Sequence, residues 1–218
     1  AGKPADTCPN GDTVPKSLNA LTVDSPEMQA LQQHLLERKV ALTSTLTIFE
    51  TFASGRPIAP QGALDLLMPQ LKEMYLSRWS AIAAQPGNVW SALLPKEMAW
   101  EKQFFDAGGL LVAGTDPTGY GGVVPGYSNV RQIELLEEAG LSRAQALQVA
   151  TLNGARYLGR EQEIGSVAVG KRADLVLFQG SLADEPASLR RIVWTMKAGV
   201  AYDAAKIRAA YKGKVGLM

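Results

Sequence analysis

Two kinds of apolar spacing alternate along this chain. Val40 to Ile48 (Val-Ala-Leu-Thr-Ser-Thr-Leu-Thr-Ile) is rich in β-branched residues and reads as a strand. Leu110 to Gly114 is a short run of small and apolar residues without polar alternation, the pattern of a strand covered on both faces in a parallel α/β sheet. Around these runs the spacing is helical. Met28, Leu31 and Leu35 form one face of a helix opened by Ser25-Pro26-Glu27, which supplies a cap, a first-turn proline and an acid at the positive end. Leu64, Leu67, Leu71, Met74, Tyr75 and Trp79 mark a long amphipathic helix with Pro69 as a kink, after a breaker-rich segment, 53–62, that reads as a mobile loop. Helix resumes over 95–107 and stops at Gly108-Gly109. Helix, strand, helices, strand is an order that suits parallel crossovers.

Beyond residue 122 two helix starts are written as capping boxes, Asn129 with Gln132 and Ser142 with Gln145. Asn153-Gly154 reads as a break and Gly159 as the end of the helical region. The character then changes to a turn-rich strand region, Ile164 to Phe178. A hairpin follows, Ile192–Met196 with Val200–Tyr202 around Lys197-Ala198-Gly199, and then a last helix over Ala204–Tyr211. Three segments are expected: an N-terminal arm or loop over 1–20, βα units over 21–160, and a β-rich unit with a terminal helix over 161–218.

Composition narrows the chemistry. A formal charge of +1 on 218 residues makes no electrostatic case for nucleic acid or an anionic membrane, and no apolar run approaches the length of a membrane span. The chain has one histidine, His34, and one cysteine, Cys8, so a histidine-rich metal site cannot be built from it and an internal disulfide is impossible. Cys8 reads as a stray thiol in the arm. His34 falls off its helix's apolar stripe and reads as a surface or boundary residue. Lys171 and Arg172 read as solvated turn charges.

Candidate chemistry gathers after the second strand, in Gly114-Thr115-Asp116-Pro117-Thr118-Gly119-Tyr120-Gly121-Gly122. Ligands of parallel α/β sheets bind beyond the carboxyl ends of the strands, which would put Asp116 at an active-site rim. An Asp-Pro turn that bonds its own backbone is the structural alternative. Glu50, just past the first strand, is a second rim candidate beside the commoner role of a solvated loop acid.

Four ordered motifs then coincide. Gly114-Thr115-Asp116 precedes Glu137-Glu138-Ala139-Gly140-Leu141-Ser142. Next come Ala146-Leu147-Gln148-Val149-Ala150-Thr151-Leu152-Asn153-Gly154-Ala155 and Ile164-Gly165-Ser166-Val167-Ala168-Val169-Gly170-Lys171-Arg172-Ala173-Asp174-Leu175-Val176. This series resembles the C-terminal part of the metal-dependent amidohydrolase superfamily, in its imidazolonepropionase-like and Xaa-Pro-dipeptidase-like branch. The match is clear over roughly 106–202 and looser over 21–105. The resemblance implies an α/β fold: the last βα units, strands 7 and 8, of a TIM-like (β/α)8 barrel, plus part of a small β-sandwich domain. It implies that Asp116 is both a metal ligand and a general base at the end of strand 8. Water activated on a divalent cation, zinc being the expected ion, would attack an amide, cyclic amide or dipeptide. Thr115, Tyr120 and Tyr127 would border the substrate; a flexible connector with buried tyrosines is the other reading of that loop.

The remaining histidine ligands of that superfamily have no counterpart here. The resemblance therefore implies a C-terminal fragment that begins just past the sixth strand. Such a fragment would have the missing N-terminal part of the same protein as its partner, would be inactive alone and would hold no metal tightly. The rival expectation is a non-catalytic standalone interaction module that has lost the metal site, with self-association through uncovered strand edges.

Overall fold

The computed structural model describes residues 13–117, 122–183 and 185–216. Its organising feature is a pair of short parallel strands. β1 (Leu42–Ser44) and β2 (Leu111–Ala113) run in register, Leu42 opposite Leu111 and Ser44 opposite Ala113. β1 is reached through α1 (Thr13–Asn19) and α2 (Pro26–Glu37), and between the strands lie α3 (Leu46–Glu50), α4 (Gln61–Leu66), α5 (Pro69–Ala83) and α6 (Val89–Asp106). A parallel pair requires such a crossover. After β2 come α7 (Tyr127–Glu138), α8 (Arg143–Ala150) and α9 (Leu152–Tyr157). A separate antiparallel sheet, in the order β3 (Leu175–Phe178), β4 (Ile192–Lys197), β5 (Val200–Asp203), leads into α10 (Ala204–Tyr211).

The helix starts follow from local chemistry. Ser25 caps α2 by accepting from the Met28 N–H, and Ser142 with Gln145 closes a reciprocal capping box on α8. At α7 the device shifts. Gly126 is the cap and the Asn129 side chain accepts from its N–H, so Asn129 is the third helical residue rather than the cap.

Several expected elements are corrected. The strand expected over Val40–Ile48 is confined to Leu42–Ser44, because Leu46–Glu50 turns into α3 and buries Leu46, Thr47 and Ile48. Part of the N-terminal loop, Thr13–Asn19, is helical. Pro69 does not kink a helix but starts α5, where its missing N–H costs nothing. Met74 is exposed, while Tyr75 keeps its expected place on the buried face and Ile82 joins it. The expected break at Asn153-Gly154 lies earlier, at Thr151, whose non-helical backbone (φ −134°, ψ −81°) separates α8 from α9.

The main core packs Leu46, Leu94, Met98, Phe104, Leu111, Leu135, Leu136 and Val149 beneath the two strands. A second cluster joins Ala63, Leu64, Leu66, Leu67, Tyr75 and Val124. Truncating a fully buried member such as Leu111 to alanine would cost about 2–5 kcal/mol.

A polar chain runs through the main core. Ser44 Oγ donates to Glu101 Oε2 at 2.6 Å and accepts from Gln132 Nε2 at 2.7 Å, so one hydroxyl ties β1 to both α6 and α7. Gln132 Oε1 then accepts from the Thr47 N–H at 3.2 Å. Burial raises Glu101 from the ordinary glutamate value of 4.5 to about 7, partly opposed by the Ser44 hydrogen bond. Glu97, one turn back on α6, is raised to about 7 by burial and by the neighbouring Glu101. The folded chain thus keeps protons that the unfolded chain releases between pH 4.5 and about 7, and stability falls as pH rises through that window. Urea denaturation from about pH 5 to about pH 7.5 is expected to show a falling midpoint, flattened by Glu97→Gln. A midpoint that rises across the window contradicts two buried, proton-holding carboxyls.

Candidate functional site

β2 leaves its sheet through Gly114, Thr115 and Asp116, and the backbone there is tightly specified. The Gly114 N–H donates to the Ser44 carbonyl at 2.8 Å, extending the parallel ladder. A Cβ at Gly114 would sit 2.9 Å from Thr43 Cγ2 and 3.3 Å from Thr45 Cγ2, so β1 packs against bare backbone. Thr47 Oγ1 then donates to the Thr115 carbonyl at 2.8 Å, anchoring the turn to α3. Asp116 follows with φ of 47° and an exposed side chain. That left-handed backbone costs a non-glycine residue on the order of 1 kcal/mol and is best tolerated by Asp and Asn. The chain holds a carboxylate at the carboxyl end of a parallel strand, in a strained backbone state.

The expected site residues do not form one cluster. Thr115 is half-buried and its carbonyl is occupied by Thr47. Tyr127 opens α7 and lies in the wall of a neighbouring cavity of about 380 Å³, which Thr47 also lines and Asp116 does not. Tyr120 and Cys8 lie outside the described residues. His34 is exposed on α2. Among the described residues, no three His, Cys, Asp or Glu side chains converge where a cation would sit. These residues therefore do not make up a metal site by themselves.

Glu50 fits neither a rim ligand nor a solvated loop acid. It is 9% exposed and clamped by two guanidiniums. Arg131 donates from Nε to Glu50 Oε2 at 2.9 Å and from Nη2 to Oε1 at 2.7 Å, while Arg56 Nε reaches Oε1 at 2.8 Å. Both arginines also hold Glu138, and Arg131 with Arg190 holds Glu134. Burial opposes the charge on Arg131, but the bonds and field of Glu50, Glu134 and Glu138 more than offset it and raise its pKa. Burial likewise pushes Glu138 up, and Arg56 with Arg131 brings it below the ordinary carboxylate value. Arg131, Glu134 and Glu138 were legible as same-face neighbours on one helix. Nothing local in the sequence joins them to Glu50 and Arg56, which the fold brings from the segment after β1.

Comparison with known proteins bears on the family and the fold. The model of the amidohydrolase family matches residues 91–207, which include β2 and Asp116. A stretch of 98 residues is 35% identical to the imidazolonepropionase of Geobacillus sp. (strain WCH70), covering 43% of this chain and 21% of that protein. Another of 57 residues is 44% identical to the 5'-deoxyadenosine deaminase of Methanobrevibacter smithii, covering 26% and 13% respectively. Among solved structures, a Xaa-Pro dipeptidase with bound methionine in the active site aligns over 83% of this chain and 38% of its own, with a TM-score of 0.55. At 21% identity that likeness is one of fold. In each of the three, the match spans well under half of the other protein's length.

The ion cluster yields a direct test. Arg131→Met would leave buried Glu50 with Arg56 alone, at a cost of about 2–3 kcal/mol, discounted from the range for fully buried pairs because Arg131 is partly exposed. Adding Glu50→Gln is expected to recover part of that loss in denaturant unfolding. If the two losses simply add, the clamp is not a coupled unit.

Proposed function

The chain belongs to the amidohydrolase family, and on that premise we propose that it forms the C-terminal portion of a metal-dependent enzyme. That enzyme hydrolyses a carbon–nitrogen bond in an amide, a cyclic amide or a dipeptide. The observation that carries this reading is the placement of Asp116, held at the carboxyl end of β2 by the Gly114 contact and the Thr47 hydrogen bond. A carboxylate at that rim can take the proton of an attacking water, the standard contribution of a general base. Thr115 and Tyr127 are assigned to the border of the substrate.

The rest of the site is assigned to the remainder of a (β/α)8 barrel. Two strands cannot close a barrel, and the edge of β1 away from β2 supports the same conclusion. It faces a groove of about 290 Å³ lined by Leu18, Leu31, Leu42, Thr43, Trp100 and Glu97. Leu31 is 46% exposed there, while Glu97 Oε2 and Trp100 Nε1 are buried without a hydrogen-bond partner. An uncovered edge beside apolar surface and unsatisfied polar atoms is what a sheet leaves when its next strand is taken away. In this reading the missing strands bring the other ligands of a divalent cation, zinc first among the ions to test, and Asp116 contributes one. The antiparallel β3–β5 sheet, beyond a boundary near residue 160, belongs to a small second domain.

The 218-residue chain alone, supplied with zinc, is expected to turn over no N-acyl amino acid, cyclic amide or dipeptide. Combined with the remainder of its barrel it is expected to be active, and Asp116→Asn to lower kcat by about 100-fold or more without unfolding the protein. Chelator-sensitive turnover by the chain alone would sink the divided-site reading. Full activity in the Asp116→Asn variant would remove that residue from the chemistry, and inactivity of the combined protein would favour a non-catalytic binding module.

A further inference from the structure

The 380 Å³ cavity beside the rim is built from the segment after β1, the start of α4, α5 and the first turn of α7. Three aromatic rings, Tyr75, Trp79 and Tyr127, contribute to its lining, and the places of the two tyrosines are fixed. The Tyr75 hydroxyl accepts from the Ala59 N–H at 2.8 Å. The Tyr127 ring lies against Gly62, where any Cβ would collide with its hydroxyl. Within this lining Ser128 is 4% exposed, and its Oγ is buried without a hydrogen-bond partner. A rigid, largely apolar pocket with one unspent polar atom is the usual form of a small-molecule site.

Its charge identifies the class of ligand. Three guanidiniums reach the lining, Arg56, Arg131 and Arg190, a set that by itself would suggest an anion. Each is already bound to a carboxylate, the three carboxylates being Glu50, Glu134 and Glu138. Three positive and three negative charges cancel. A charged ligand would have to break one of these pairs or be buried uncompensated, and both are costly.

We propose that this cavity binds an uncharged, ring-bearing group that carries one hydrogen-bonding atom for Ser128 Oγ. It would serve as the specificity pocket for the substrate whose scissile bond lies at Asp116, to which Thr47 connects it by lining the cavity and bonding the Thr115 carbonyl. The link to a substrate rests on the hydrolase reading above; the binding itself does not.

Three single-ring probes of similar size separate the possibilities: benzamide, benzoate and benzylammonium, followed by ligand-detected NMR titration of the 218-residue chain. Benzamide is expected to bind saturably, and its charged analogues at least about 10-fold more weakly. Ser128→Ala is expected to weaken benzamide about 5- to 10-fold, and Ile58→Trp, at an exposed position of the lining, to block it. Asp116→Asn is expected to leave benzamide binding unchanged, so failure of the Asp116 assignment would not touch this result. Equal binding of the charged analogues overturns the uncharged class. Absent binding, or binding indifferent to both cavity variants, overturns the site.

Discussion

Everything in this molecule depends on how closely β1 approaches β2. The backbone of Gly114 lies against the methyl groups of Thr43 and Thr45, and its N–H completes the ladder to Ser44. That contact sets the register, and the register sets which side of the strands the helices cover. Ser44 then faces α6 and α7, where Glu101 and Gln132 meet it, and the chain beyond Gly114 is delivered to the rim with Asp116 in a left-handed backbone. A side chain at position 114 would collide with the Thr43 methyl at 2.9 Å and crowd that of Thr45 at 3.3 Å, so the packing around β1 would have to give way.

Buried polarity is the second theme, handled in two ways. Under the strands the carboxyls of Glu97 and Glu101 meet burial by holding protons, which is cheaper than burying two like charges one helical turn apart. Near the rim Glu50 is instead met by cations, Arg131 with two parallel bonds and Arg56 with a third. The ion cluster also joins distant parts of the chain. Arg190, from the segment between β3 and β4, binds Glu134 on α7 and so ties the antiparallel sheet's surroundings to the helices after β2. The neutrality of the neighbouring cavity is a by-product of that structural pairing.

Much of the fold was legible in the sequence wherever one local rule decided the outcome. The strand at Leu111–Ala113, the Ser25 and Ser142 caps, the terminal hairpin and the last helix follow from periodicity and capping chemistry that tertiary contacts leave alone. Legibility failed where tertiary packing overrode propensity. The β-branched run from Val40 to Ile48 looks like one long strand, yet Leu46 and Ile48 are worth more to the core as part of α3. Asn129 has the side chain of a cap but serves three residues inside the helix, because Gly126 takes the turn. At the site, Asp116 was visible because strand, turn and acid are contiguous. Glu50 could not be placed, because its partners lie 6 and 81 residues away in sequence.

The open edge of β1 gives the sharpest test of the idea that these two strands belong to a larger sheet. Leu42 bonds β2 through its N–H to the Leu110 carbonyl, and alternation along a parallel strand turns the Thr43 N–H the other way, toward the groove. Hydrogen–deuterium exchange at the Thr43 amide, compared between the 218-residue chain and the native protein from its source, reads that edge directly. Fast exchange in the chain with strong protection in the native protein is the expected result, since a neighbouring strand would bond that amide. Equal exchange in the two would mean that nothing pairs with β1, and the barrel reading would be wrong.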